Sequence, residues 1–172
     1  MRLLLAMFPF AKRRKKAVFI EEIETEDLSQ LAEIHRQSFA APWSDGELQK
    51  MLSNPLYIGL LARRVGGGAQ PPLGFVLTRV AADAAEIITI AVSTRHRHRG
   101  IATALMNASI RRLQEDRIKT VFLEVDSANQ NAIRLYTQLG FITVSDRVGY
   151  YRRTDEETGK RSNALVMRLE LG

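Results

Sequence analysis

Between residues 84 and 125 the chain reads strand, helix, strand, and that order restricts the possible folds more than any other feature. "AAEIITIAV" (84–92) reads as a buried strand. After the basic turn "STRHRHRG", Ile101, Ala104, Leu105 and Ala108 fall at i, i+3, i+4 and i+7, which predicts a helix from about Gly100 to Gln114 with one face on a sheet. "KTVFLEV" (119–125) returns to strand character. A strand, a crossover helix and a second strand close into a parallel pair with a right-handed crossover.

The flanking segments supply the rest of such a sheet. "AVFIEEIE" from Ala17 predicts a first strand, and "TEDLSQLAEIHRQSFA" a helix with Leu28, Leu31 and Ile34 at helical spacing and Thr25 or Asp27 as its cap. His35 has no acidic or cysteine companion at ligand spacing, so it reads as structural or solvent-exposed. Ser44 and Glu47 form a capping box for a second helix. Trp43, the sole tryptophan, is either a hydrophobic staple for that helix or an aromatic wall beside a substrate. "LYIGLLARRV", "LGFVLTRVA" and "AAEIITIAV" predict an antiparallel meander, with "GGGAQPP" as a hairpin loop. "NQNAIRLYTQLG" predicts a further helix and "FITVSDRVGYYRR" a further strand. The expected class is α/β (α+β): one domain around a mixed sheet, antiparallel at first, with a parallel pair near its middle and helices flanking it.

A chain of 172 residues suits one such domain, here expected over 17–172. Five of its six net positive charges lie in Lys12, Arg13, Arg14, Lys15 and Lys16, so the remainder is nearly neutral. The apolar run before them, Leu3 to Ala11, is far shorter than the roughly 20 residues of a membrane span. The basic cluster follows that run, against the pattern of a signal peptide. Residues 1–16 are therefore expected to be a flexible extension able to touch an anionic surface, with no transmembrane segment, no DNA partner and a cytoplasmic location. The absence of cysteine removes disulfides, thiolate metal sites and a cysteine acyl-enzyme.

Two segments carry candidate chemistry. At the start of the helix after "STRHRHRG", free backbone N–H groups favour an anion, the small residues Gly100 and Ala102 admit it, and Arg97, His98 and Arg99 add charge. A diphosphate fits such a site, although neither P-loop nor dinucleotide glycine spacing is present. A metal held by His96 and His98 is disfavoured, because alternate residues of an extended segment point opposite ways. Arg95 and His96 read as a solvated approach. In the second segment, "LEVDSANQNAIRLYTQLGF", Glu124 is a carboxylate in an apolar strand, on the face of Phe122, so it is either paired or working. Asn129 and Tyr136 lie nearly two helical turns apart on one face; singly they read as a helix cap and a core aromatic.

Taken together, "IAVSTRHRHRGIATALMNASI" and "LEVDSANQNAIRLYTQLGF" resemble the core of the GCN5-related N-acetyltransferases. Within them, "PWS" at 42–44 and the Tyr150, Tyr151 pair are similar to the bacterial ribosomal-protein alanine N-acetyltransferases of the RimI type. The resemblance implies acetyl-CoA as co-substrate and no metal. It implies that Arg97, His98, Arg99, Gly100, Ile101, Ala102 and Thr103 hold the pyrophosphate, and that Asn129 contacts the pantetheine or phosphate region. Ile90, Ala91 and Val92 would run beside the pantetheine arm on a strand splayed from its parallel neighbour. It further implies Glu124 as base, Tyr136 as acid, and Trp43, Tyr150 and Tyr151 beside the acceptor.

The chain departs from the family pattern at Ala102, where glycine is commoner, and at Ser162 and Asn163, where the subgroup carries acidic residues. The function expected is acetylation of a protein N-terminal α-amino group, that of alanine on a small-subunit ribosomal protein, by direct transfer in a ternary complex. Acetylation of lysine or a small amine is the alternative within the fold. A basic RNA-binding or ribosome-binding module without catalysis would leave Glu124, Asn129 and Tyr136 unexplained.

Overall fold

The computed structural model describes residues 17–66, 70–152 and 161–172, with backbone alone for 148–152 and 161–162. The extension over 1–16, with Lys12 to Lys16, lies outside the described residues. The strands are β1 (Val18–Glu22), β2 (Tyr57–Arg64), β3 (Gly74–Ala81), β4 (Ala84–Val92), β5 (Thr120–Asp126), β6 (Ile142–Arg152) and β7 (Arg161–Glu170). The α-helices are α1 (Leu28–Arg36), α2 (Asp45–Leu52), α3 (Ile101–Glu115) and α4 (Gln130–Gln138). The strands form one sheet in the order β1-β2-β3-β4-β5-β7-β6, mixed as the sequence predicts, with β4 and β5 the parallel pair at its centre.

The sequence reading did not foresee β7, which inserts between β5 and β6 and pairs antiparallel with β5 from Thr120 to Asp126. A buried strand cannot leave one edge bare, because its peptide groups need partners. Val121, Leu123 and Val125 are almost fully buried, so β5 requires a neighbour on the side away from β4.

Each face of the sheet has its own core. On one face, Leu28, Leu31, Ile34 and Leu48 of α1 and α2 pack on Leu61, Phe75 and Ala91. On the other, Ile101, Leu105, Met106 and Leu113 of α3 share a core with Leu60, Val76, Ile87 and Leu123, joined by Tyr136 of α4. Full burial of one such side chain contributes roughly 1.5–3 kcal/mol, so the apolar stripe of α3 suffices to fix it on the sheet.

One irregularity positions everything that follows. Opposite β3, Leu77 pairs with Thr89 and Thr78 with Ile87, so Ile88 is the extra residue of a β-bulge. A bulge bends its strand and reverses the side-chain alternation beyond it. Accordingly Ala85 and Ile87 belong to the α3-side core, whereas Ala91 belongs to the α1 and α2 side. Pairing between β4 and β5 ends at the same level, at Ile87 and Leu123, although both strands continue.

The helix starts clarify several sequence assignments. Ser44 and Glu47 form the expected capping box, the Ser44 N–H donating to Glu47 Oε2 at 2.8 Å. Trp43, immediately before the cap, packs in one cluster with Leu48, which is the staple arrangement. His35 is 2% exposed, stacked between Phe39 and Trp43 at 4.3 and 4.5 Å, and its Nδ1 accepts the Trp43 N–H at 3.0 Å. Asp27 stands at the N-cap position of α1, one of the two expected, but its side chain makes no capping hydrogen bond there; Thr25 opens the preceding 3-10 turn. Asp27 is buried and pairs instead with Arg63, which also binds Glu21 and the Gln70 carbonyl. A buried carboxylate needs a cation more than a helix end needs a cap.

Burial holds the His35 imidazole below its ordinary value of 6.5, opposed by the nearby Glu47 carboxylate. As pH falls through about 6.5 the unfolded chain takes up this proton before the folded one does, so stability present above that pH is lost below it. Denaturant melts at pH 8 and 5.5 should show this loss, and His35→Gln should remove part of it. Gly74 gives a second expectation, since a Cβ there would lie 2.6 Å from the Ala91 carbonyl oxygen. Gly74→Ala should lower stability by about 1–3 kcal/mol in urea unfolding, because a backbone atom of β4 must move.

Candidate active site

Past Ile87 and Leu123 the facing edges of β4 and β5 carry no mutual ladder, and a cleft of about 580 Å³ opens between them. Of the residues that the sequence singles out, Ile90, Ala91, Val92, Arg97, His98, Gly100, Ile101, Ala102, Thr103, Asn129 and Tyr136 line it. Arg99, Glu124 and Trp43 are not among its lining residues. Trp43 is held in the α1 and α2 core.

The turn at one end of the cleft is shaped by two left-handed residues, His98 with φ 59° and Gly100 with φ 80°. Gly100 is the N-cap of α3, a conformation that glycine adopts without steric cost. The first helical bond runs from the Ala104 N–H to the Gly100 carbonyl at 3.0 Å, so the amides of Ile101, Ala102 and Thr103 come before the helical ladder begins. Arg97 is exposed, but its guanidinium is engaged by the protein itself. Its Nε donates to the Val92 carbonyl at 3.2 Å and its Nη2 to Ser38 Oγ at 3.0 Å, bracing the turn against β4 and the end of α1.

His96 differs from the solvated residue that the sequence suggests. It is half-buried, lines the cleft and stands 3.5 Å from the Arg64 guanidinium. Burial, then Arg99, Arg64 and Arg95, holds its imidazole below the ordinary value. One of these neighbours, Arg64, comes from β2 and shares no local pattern with the turn, so local spacing could not reveal it.

The two candidate proton-transfer groups lie on opposite sides of β5. Tyr136 is 6% exposed, tilted against Phe141 at 5.9 Å, and packs in the core that holds Leu123 and Val125. Glu124 alternates to the other face of β5, and its Oε1 lies 2.7 Å from Arg147 of β6. The sequence reading allowed that Glu124 was paired but did not single out Arg147. Asn129 is both the expected cap and a cleft residue: its Oδ1 accepts the Ala132 N–H at 3.1 Å. The side chains of Tyr150, Tyr151 and Ser162 lie outside the described residues; the backbone of Tyr151 pairs with Ser162. Asn163, one of the departures from the family pattern, donates to Asp146 Oδ2 at 3.2 Å and links β7 to β6.

Comparison with known proteins agrees with this geometry. Residues 28–141 match the model of the acetyltransferase (GNAT) family. The chain is 32% identical, over 88% of its length and 97% of the relative's, to the [ribosomal protein bS18]-alanine N-acetyltransferase of Escherichia coli. The crystal structure of the ribosomal-protein-S18-alanine N-acetyltransferase from Escherichia coli superposes with a TM-score of 0.80 at 29% identity, covering 91% of this chain and 95% of that one. NAA60 of Arabidopsis thaliana, in complex with acetyl-CoA, shares the fold with a TM-score of 0.75 at 23% identity, covering 90% of this chain and 98% of that one.

The left-handed cap gives a direct test of the turn. A side chain at φ 80° costs about 1–2 kcal/mol, so Gly100→Ala should lower unfolding stability by that amount in urea titration while leaving far-ultraviolet circular dichroism unchanged.

Proposed function

The chain belongs to the GNAT acetyltransferase family, and on that premise we propose that it acetylates the N-terminal α-amino group of a protein, that of alanine on a small-subunit ribosomal protein. The observation that carries the reading is the cleft where β4 and β5 part, with a bare helix start at one end and Tyr136 and Glu124 on opposite sides of β5. Relatives named for alanine of ribosomal protein bS18 supply the acceptor.

The cleft fits acetyl-CoA on its own chemistry. Its β4 wall offers peptide groups that have no partner on β5, its far end offers the amides of Ile101, Ala102 and Thr103, and Gly100 and Ala102 keep those amides accessible. Acetyl-CoA brings an acetyl group already activated as a thioester. In this reading the α3 amides hold its diphosphate, Arg97 keeps the turn in shape, and Ile90, Ala91 and Val92 lie along the pantetheine arm. Asn129 stands beside that arm with its oxygen engaged in the cap.

Glu124 accepts the proton of the incoming amine, directly or through water. An α-amino group, with an ordinary pKa of about 7.7–8.0, asks less of such a base than a lysine at about 10.4. Tyr136 hands a proton to the departing thiolate. A phenol near 10 is a weaker acid than a thiol near 8.5, so it serves only if held close to the sulfur, and burial against Phe141 restricts its movement. With no cysteine to carry the acetyl group, transfer is direct, within a ternary complex. The Lys12 to Lys16 cluster assists encounter with the ribosome in the same proposal.

Labelled acetyl-CoA with N-terminal hexapeptides, lysine peptides whose N-termini are blocked, and small amines should give acetyl groups on α-amines alone, located by mass spectrometry. Acetylation confined to lysine or small amines would refute the acceptor assignment. Glu124→Gln and Tyr136→Phe should each lower kcat by about 100-fold or more. Gly100→Ala should raise the KM for acetyl-CoA with a smaller effect on kcat.

A further inference from the structure

Thr89 is the one polar residue between Ile87 and Val92, and no part of the mechanism above uses it. It is 7% exposed, lines the cleft, and its Oγ1 has no hydrogen-bond partner among the described residues. A buried hydroxyl without a partner is unfavourable. Valine has the same branched shape and would fill this position without that cost, so packing gives no reason for threonine.

The bulge determines which way this hydroxyl faces. Were β4 regular through Ile88, Thr89 would share the α3-side face with Ile87, two residues before it. With it, Thr89 shares the opposite face with Ala91 and Phe75. That is the face of Glu124, since β5 turns Leu123 and Val125 to the α3-side core. Thr89 on β4 and Glu124 on β5 thus share that face within two residues of the last paired residues, one on each side of the opening.

We propose that the Thr89 hydroxyl is an acceptor-binding group: it receives a hydrogen bond from an N–H of the incoming amine and holds the nitrogen at the opening while Glu124 takes the proton. A hydroxyl has two acceptor lone pairs and one proton, so it can receive the amine N–H and also donate to the Glu124 carboxylate. The inference rests on the acetyltransferase reading and on Glu124 marking the acceptor side.

The test uses the full chain with Thr89→Val, Thr89→Ser and Glu124→Gln, on whichever acceptor the wild type acetylates fastest. Thr89→Val should lower kcat over the acceptor KM by about tenfold or more, with the acetyl-CoA KM within about twofold of wild type. Its Tm should equal or exceed that of wild type, because the unpaired hydroxyl is gone. Thr89→Ser should recover most of the activity. Unchanged acceptor kinetics in Thr89→Val would overturn the proposal, as would a lowered Tm together with no recovery in Thr89→Ser, which would mean a packing role. Loss of activity in Glu124→Gln with normal Thr89→Val kinetics would refute the Thr89 role alone. Normal kinetics in both would refute the acceptor side as well.

Discussion

The parallel ladder between β4 and β5 stops at Ile87 and Leu123, and the rest of the molecule is organised around that early stop. Two central strands whose edges separate expose peptide groups, and a protein interior tolerates those only where something else will bond them. The outer neighbours make the separation possible. β4 stays paired with β3 as far as Val92, and β5 with β7 as far as Asp126, so each strand is held from behind while its inner edge is released. The α1 and α2 core and the α3 core then brace the two faces independently. The bulge at Ile88 lets the ladder on the β3 side continue while β4 leaves its other neighbour.

The turn before α3 combines rigidity with positive charge. His98 and Gly100 set its backbone, and Arg97 fastens it to Val92 and Ser38. The guanidinium that the sequence offers as a ligand for phosphate is thus occupied in holding the backbone donors in place. His96, desolvated by burial and crowded by Arg99, Arg64 and Arg95, stays neutral more readily than an exposed histidine, which limits the repulsion within the cluster.

Much of this was legible in the sequence because it depends on local periodicity. The apolar stripe of α3, the Ser44 and Glu47 box, and the alternation that turns Glu124 away from Leu123 and Val125 each follow from residues close in the chain. What escaped the sequence reading depends on partners brought from elsewhere. Arg63 engages the Asp27 side chain that would otherwise cap α1, Arg64 reaches His96 from β2, and Arg147 reaches Glu124 from β6. The position of β7 belongs to the same class, because nothing in "RSNALVMRLE" says which of two open edges it will join. The bulge was hidden for another reason: an extra residue in an apolar run changes the facing of side chains without changing composition.

The insertion of β7 between β5 and β6 also orders events during synthesis. β5 pairs with β4 only from Thr120 to Leu123, and its full-length neighbour is β7. A nascent chain that has emerged only through β6 therefore holds the strand bearing Glu124 by a short ladder on one edge, and β6 has no neighbour in the sheet. Residues 161–170 join both at once, so the β5 side of the cleft takes form late in translation, after the helix start and the β4 wall can already be in place.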